Sequence, residues 1–135
     1  MAAQGTAFHL PAVVIEAMLA HAAETAPREA CGLLIGAGDV VVRAVRARNL
    51  APSDARYEIA PEDHFAAVRE ARADGLEVIG AYHSHPATAA EPSPTDRAAA
   101  FAGFVFVIAA AVPAPHVRAW ELVGGNFAER PLVRT

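Results

Sequence analysis

Cysteine is almost missing from this chain: one, Cys31, stands among 135 residues. A lone thiol closes no internal disulfide, which fits a reducing compartment. It also cannot build the cysteine cage that structural zinc usually takes. Basic blocks are missing too. Lys and Arg number 11 against 15 Asp and Glu, for a net charge of -4. The electrostatic footprint of a nucleic-acid-binding protein is therefore absent. Long apolar runs are scarce as well, and the longest, about Phe104 to Pro113, is roughly half a membrane span. The N-terminal MAAQGTAFHLP has neither a basic n-region nor an apolar h-region, so no signal peptide is read there. These absences lead us to expect a soluble cytoplasmic protein with no nucleic-acid partner and no membrane association.

What is present is a globular composition, 54% hydrophobic and 19% charged, of a length that suits one domain spanning 1–135. No internal repeat is found. Ala7–Leu10 reads as a short strand. Helical spacing of Val14, Ile15, Met18, Leu19 and Ala22 predicts a helix from Pro11 to about Thr25, ended by Pro27. Ala30–Ile35 and Val40–Val45 read as a hairpin across Gly36-Ala-Gly-Asp39. A loop over Asn49–Ala55 and a short strand at Tyr57–Ile59 follow. A second helix is predicted from Pro61 to about Asp74, with Phe65, Val68 and Ala71 on one face and Gly75 just past its end. Glu77–Ser84 reads as a strand, and Ser93-Pro-Thr-Asp96 opens a third helix to about Ala102. Phe104–Val112, His116–Val123 and Phe127–Val133 complete the set, the last two joined by a turn at Gly124-Gly125-Asn126. This order predicts the α/β class, a single mixed β-sheet flanked by helices.

The chemistry concentrates in HSHPATAAEPSPTD, residues 83–96. Side chains two apart on a strand face the same side, so His83 and His85 point together with roots roughly 6.5 Å apart, a span two imidazoles close onto one ion. Asp96 offers a carboxylate as a third ligand. Two imidazoles and one carboxylate suit catalytic zinc, which keeps a fourth position for water. The stretch also has a purely structural reading. Ser93 at an N-cap, Pro94 at N1 and an acid at N3 form a capping box. The two readings are compatible, because a capped helix would hold Ser93 and Asp96 rigidly toward the histidines.

His-x-His-Pro, six residues, Ser, two residues and Asp resembles the motif of the JAMM zinc metallopeptidases, the MPN-type or prokaryotic JAB family. PREACGLLIG, residues 27–36, resembles the P-x-E-A-C-G-L-L-x-G strand of the same family. The resemblance covers nearly the whole chain. It implies an MPN/JAMM-like fold with the α-β-α architecture also seen in cytidine deaminases. It implies one zinc ion with a bound water, held by His83, His85 and Asp96. It implies Glu29 as the general base and Ser93 as a hydrogen-bond donor to the developing oxyanion. Without the resemblance, Glu77 and Glu91 remain open as alternative bases, and Glu29 reads equally as a surface acid before a buried strand. Asn49 and Tyr57 match a polar loop residue and an aromatic of the family, and no chemistry is assigned to them.

The resemblance also implies a substrate. The family hydrolyses peptide or isopeptide bonds after the C-terminal Gly-Gly of ubiquitin-like proteins. Here no long insertion stands near the motif, so the chain resembles the minimal bacterial form. A β-grasp sulfur-carrier protein is the implied partner, through removal of an extension or release of cysteine. The internal Gly124-Gly125 is a turn and no carrier tail. Rival classes are a catalytically silent MPN-like scaffold that binds a partner protein and a cysteine hydrolase using Cys31. For Cys31 the competing reading is a small buried apolar residue. A zinc deaminase is excluded, because its His-x-Glu and Pro-Cys-x-x-Cys signature needs two cysteines. The oligomeric state, a homodimer included, stays open.

Overall fold

A computed structural model describes residues 5–135. The first four residues of the stretch read for a signal peptide lie outside the described residues. The elements are β1 (Phe8–Leu10), α1 (Ala12–Thr25), β2 (Cys31–Ala37), β3 (Val40–Ala47), α2 (Pro61–Ala73), β4 (Glu77–His85), α3 (Pro94–Ala99), β5 (Val105–Ala110), β6 (His116–Val123), β7 (Asn126–Arg130) and β8 (Leu132–Arg134). The eight strands form one sheet in the order β7-β6-β5-β4-β2-β3-β1-β8. It is mixed: β4 and β5 run parallel, as do β1 and β3, while β2 is antiparallel to both its neighbours.

Helices cover both faces, as expected. Val14, Ile15 and Met18 of α1 pack with Leu34, Tyr82 and Val107 on one face. Ala67 and Ala71 of α2 pack with Leu33, Ala81 and Phe106 on the other. Leu33 and Leu34 are adjacent, and so are Ala81 and Tyr82, so strand alternation assigns the two helices to opposite faces. Strands buried on both faces need near-continuous apolar runs, which β2 and β5 supply. Gly32 has a steric duty here. A Cβ at that position would collide with the Tyr82 ring and the Val45 carbonyl oxygen.

Several boundaries differ from the sequence reading. The strand expected over Phe127–Val133 is two strands broken at Pro131, which lacks the N–H that a ladder needs. β7 pairs with β6, and β8 pairs in parallel with β1 at the opposite end of the sheet. The sheet must curl for one residue to join its two ends. Arg130, 5% exposed, rivets this seam: its guanidinium donates to the Thr6 carbonyl oxygen at 2.6 Å and to Asp39 at 2.9 Å. Tyr57–Ile59 forms no strand, only a bridge between Asn49 and Ile59. The Asn49 side chain takes the Glu58 N–H that a ladder would use. α3 stops at Ala99, short of the expected Ala102, and Phe101 joins the ring cluster of Phe104 and Phe106. Phe65 is off the packed face of α2 and 64% exposed; the alanines let that helix lie close to the sheet. Among the described residues, no helix is long and apolar enough to cross a membrane.

Candidate functional site

His83 and His85 occupy the last three residues of β4, and both are buried. Asp96 is buried as well, at the third position of α3. Alternation turns both imidazoles to one side, and the capped helix brings the carboxylate to them. His83 Nε2 lies 3.2 Å from His85 Nε2. Asp96 Oδ2 is 2.9 Å from His85 Nε2 and 3.2 Å from His83 Nε2. Two ligands at 2.0–2.1 Å from a tetrahedral ion stand ~3.3 Å apart. The triangle therefore has the size of one face of such a coordination sphere, and the three residues could hold a metal ion.

Tautomers sharpen this fit. His85 Nδ1 lies 2.8 Å from the Ala89 carbonyl oxygen, and a carbonyl only accepts, so Nδ1 carries the proton. In the neutral ring, Nε2 then presents its lone pair to the carboxylate and to the other imidazole. Two converging buried acceptors, His85 Nε2 and Asp96 Oδ2, call for a positive centre beside them. Burial lowers the His83 pKa and keeps that ring neutral. Burial also works against charge on His85, but the Asp96 carboxylate and the Ala89 carbonyl outweigh it and raise its pKa. Asp96 is held well below the usual carboxylate range. Burial opposes this, and the two imidazoles with the Ser93 N–H prevail. His83 departs from the usual arrangement of a metal-ligating histidine, because its Nδ1 is buried without a partner among the described residues. Stacking holds it instead: the Tyr57 ring lies 4.3 Å away at 18°.

The capping box and the ligand triangle coexist. Ser93 Oγ accepts the Asp96 N–H at 3.0 Å, and the Ser93 N–H donates to Asp96 Oδ2 at 2.9 Å. The cap thus aims the carboxylate at the histidines. Glu29 precedes β2. Extending the register that pairs Cys31 with His83 sets Glu29 opposite His85. The bond from the Ala30 N–H to Ser84 Oγ, at 2.8 Å, holds the two segments together there. Glu29 is 5% exposed and its Oε1 has no hydrogen-bond partner among the described residues. Burial raises its pKa to about 7; His85 pulls it down and Asp96 pushes it up. Glu29, His85 and Ser93 line one cavity of about 410 Å³, walled by Asp54 and Ala55 on one loop and Pro86 to Thr88 on another.

The three other acid and thiol candidates are less well placed. Glu77 stands at the opposite end of β4, about 20 Å from His83 at 3.3 Å per residue. Glu91 is exposed and pairs with Arg118 at 3.3 Å. The Cys31 thiol is buried against the Ala47 carbonyl, and burial pushes it up to about 12. Full burial and a raised pKa both argue against a cysteine nucleophile. Two residues have roles that the sequence reading left unassigned. Trp120 donates its indole N–H to the Ala90 carbonyl at 2.9 Å, anchoring the loop next to the Ala89 carbonyl that orients His85. Asn49 bonds the backbone of Glu29. Its match to a polar loop residue of the family, between a strand and a turn-rich loop, was the available signal for it.

Comparisons with known proteins give the chain its relatives. Residues 11–123 match the family model described as prokaryotic homologs of the JAB domain. The desampylase of Haloferax volcanii is 34% identical over 122 residues, covering 84% of this chain and 86% of that protein. The CysO-cysteine peptidase of Mycobacterium tuberculosis is 32% identical over 125 residues, covering 88% of this chain and 85% of that protein. The solution structure of protein DSY2949 from Desulfitobacterium hafniense superposes with a TM-score of 0.86 at 32% identity, covering 95% of this chain and 92% of that one.

Proposed function

The chain belongs to the family of prokaryotic homologs of the JAB domain, and on that premise we propose that it is a zinc metallopeptidase of JAMM type. Its substrate in this reading is the bond after the C-terminal Gly-Gly of a ubiquitin-like sulfur-carrier protein. The observation that carries the reading is the buried triangle of His83, His85 and Asp96 beside an unbonded carboxylate, with His85 and Glu29 lining one cavity. Relatives named as a desampylase and a CysO-cysteine peptidase support a bond to a carrier protein.

A zinc ion supplies Lewis acidity when bound, acidifying water and polarising a carbonyl. His83, His85 and Asp96 would hold it. Glu29 takes the proton of the attacking water on Oε1 and returns it to the leaving amine. Burial without a hydrogen-bond partner on Oε1 leaves that carboxylate free to accept a proton. The Ser93 hydroxyl already accepts the Asp96 N–H. Its own hydrogen is therefore free to meet the carbonyl oxygen as charge builds there. Small residues on the cavity walls, Ala55 and Ala87, leave room for an extended glycine tail. The whole chain acts as one domain in the cytoplasm, where its single buried thiol needs no oxidising environment.

The test joins metal content to turnover. The zinc-loaded protein is expected to cleave a β-grasp carrier extended beyond Gly-Gly. Asp96→Ala should lose zinc and activity together. Glu29→Gln should keep zinc and lose activity by about 10²–10⁴-fold. Zinc-loaded protein that leaves Gly-Gly conjugates intact while cutting other peptides would sink the substrate assignment. Failure to bind zinc at all would return the scaffold reading.

A further inference from the structure

Asn49 follows β3 and touches none of the proposed reacting groups through its own side chain. Its four hydrogen-bonding positions are nonetheless all used. Nδ2 donates to the Glu29 carbonyl at 3.0 Å and to the Arg56 carbonyl at 3.2 Å. Oδ1 accepts the Ala51 N–H at 2.9 Å and the Glu58 N–H at 3.0 Å. An amide has two donors and two acceptor sites, so nothing is left over.

The partners decide what this does. Glu29 lies beyond the regular β2–β4 pairing, where the strand end needs another restraint. Arg56 and Glu58 flank Tyr57, the ring stacked on His83. Asp54 and Ala55, on the same loop, wall the cavity. One side chain therefore grips the backbone of Glu29 and the backbone on both sides of Tyr57. Arg28 adds to the grip, donating to the Asn49 carbonyl at 3.1 Å and the Ala51 carbonyl at 2.8 Å.

We infer that Asn49 is a positioning residue for the hydrolysis proposed above, and the inference rests on that reading. It fixes the spacing between Glu29 and the loop that carries Asp54, Ala55 and Tyr57, so that the base and the cavity wall keep one register. Asn49→Asp dissects the claim. Aspartate still accepts the Ala51 and Glu58 N–H groups, so the loop keeps its turn. It cannot donate to the Glu29 and Arg56 carbonyls. Asn49→Ala removes both sets.

The experiment measures zinc content, hydrogen exchange over residues 50–58, and kcat and KM on a Gly-Gly carrier fusion. Asn49→Asp is expected to keep zinc and loop protection, while kcat falls on the order of tenfold and KM moves less than about twofold. Asn49→Ala is expected to speed exchange in the loop and to raise KM as well. Wild-type kcat in Asn49→Asp would overturn the inference. So would loss of zinc or of the fold in that variant, which would make Asn49 a frame residue only. If wild-type protein holds zinc and cleaves neither a Gly-Gly fusion nor any other peptide, the hydrolase reading itself has failed and this inference falls with it. Normal wild-type turnover matched by Asn49→Asp would refute the positioning role alone.

Discussion

Glu29→Gln separates two demands on one side chain, proposed catalysis and stable folding. In the metal-free protein the Glu29 carboxyl is buried, and its pKa rises from 4.5 to about 7. Below pH 4.5 the folded and unfolded states both hold the proton, and the group contributes nothing to pH dependence. Between 4.5 and 7 the unfolded chain releases the proton while the folded protein keeps it, so stability falls as pH rises. Above 7 the folded protein carries the full cost of an ionised, buried, unpaired carboxylate. At ~1.4 kcal/mol per pH unit this integrates to a ceiling of about 3 kcal/mol. Allowing for water in the open cavity, about 2 kcal/mol is expected. Glutamine keeps the shape and cannot ionise. Metal-free wild type and Glu29→Gln should therefore melt in urea alike near pH 4.5. At pH 8 the variant should be more stable by about 2 kcal/mol. Zinc should shrink the gap, because a cation nearby compensates the carboxylate. A constant difference between the two proteins from pH 4.5 to 8 would refute the reasoning and show that Glu29 is solvated.

Two other expectations concern residues outside the ligand set. Trp120→Phe keeps the ring in the β6 surface but removes the donor to the Ala90 carbonyl. It should cost about 1 kcal/mol by chemical denaturation and weaken zinc about tenfold in chelator competition, because the Ala89–His85 orientation loosens. Unchanged zinc affinity would detach Trp120 from the site. Cys31 in native protein at pH 8 should react with iodoacetamide at least about 100-fold more slowly than in urea. Cys31→Ala should keep turnover while losing about 1–2 kcal/mol of stability. Rapid native alkylation that abolishes activity would revive a cysteine mechanism.

The legible parts of this protein were those written in local pattern. His83 and His85 face together because strand alternation is obligatory, and Asp96 joins them because the Ser93 cap is local chemistry. The mixed sheet between helices followed from element order. The split at Pro131 was less accessible. A proline announces that pairing with β6 ends, but only the curl of the whole sheet decides that β8 lands beside β1. Phe65 had a helical spacing that fitted burial, yet the buried seam of α2 is made by alanines. Asn49 and Trp120 act through backbone carbonyls many residues away. No spacing rule in a single sequence reports such contacts.

The seam at Pro131 also orders events in time. Every proposed site residue lies between 29 and 96, on β4, α3 and the lead-in to β2. The contacts that close the sheet join residues 8–10 to residues 132–134, among the longest separations the chain offers. Loop closure of that length is paid late in folding. During synthesis, the central strands and the ligand triangle are free of the ribosome before the last strand emerges. The chain can thus assemble a metal-competent centre inside a sheet that is still open along one side.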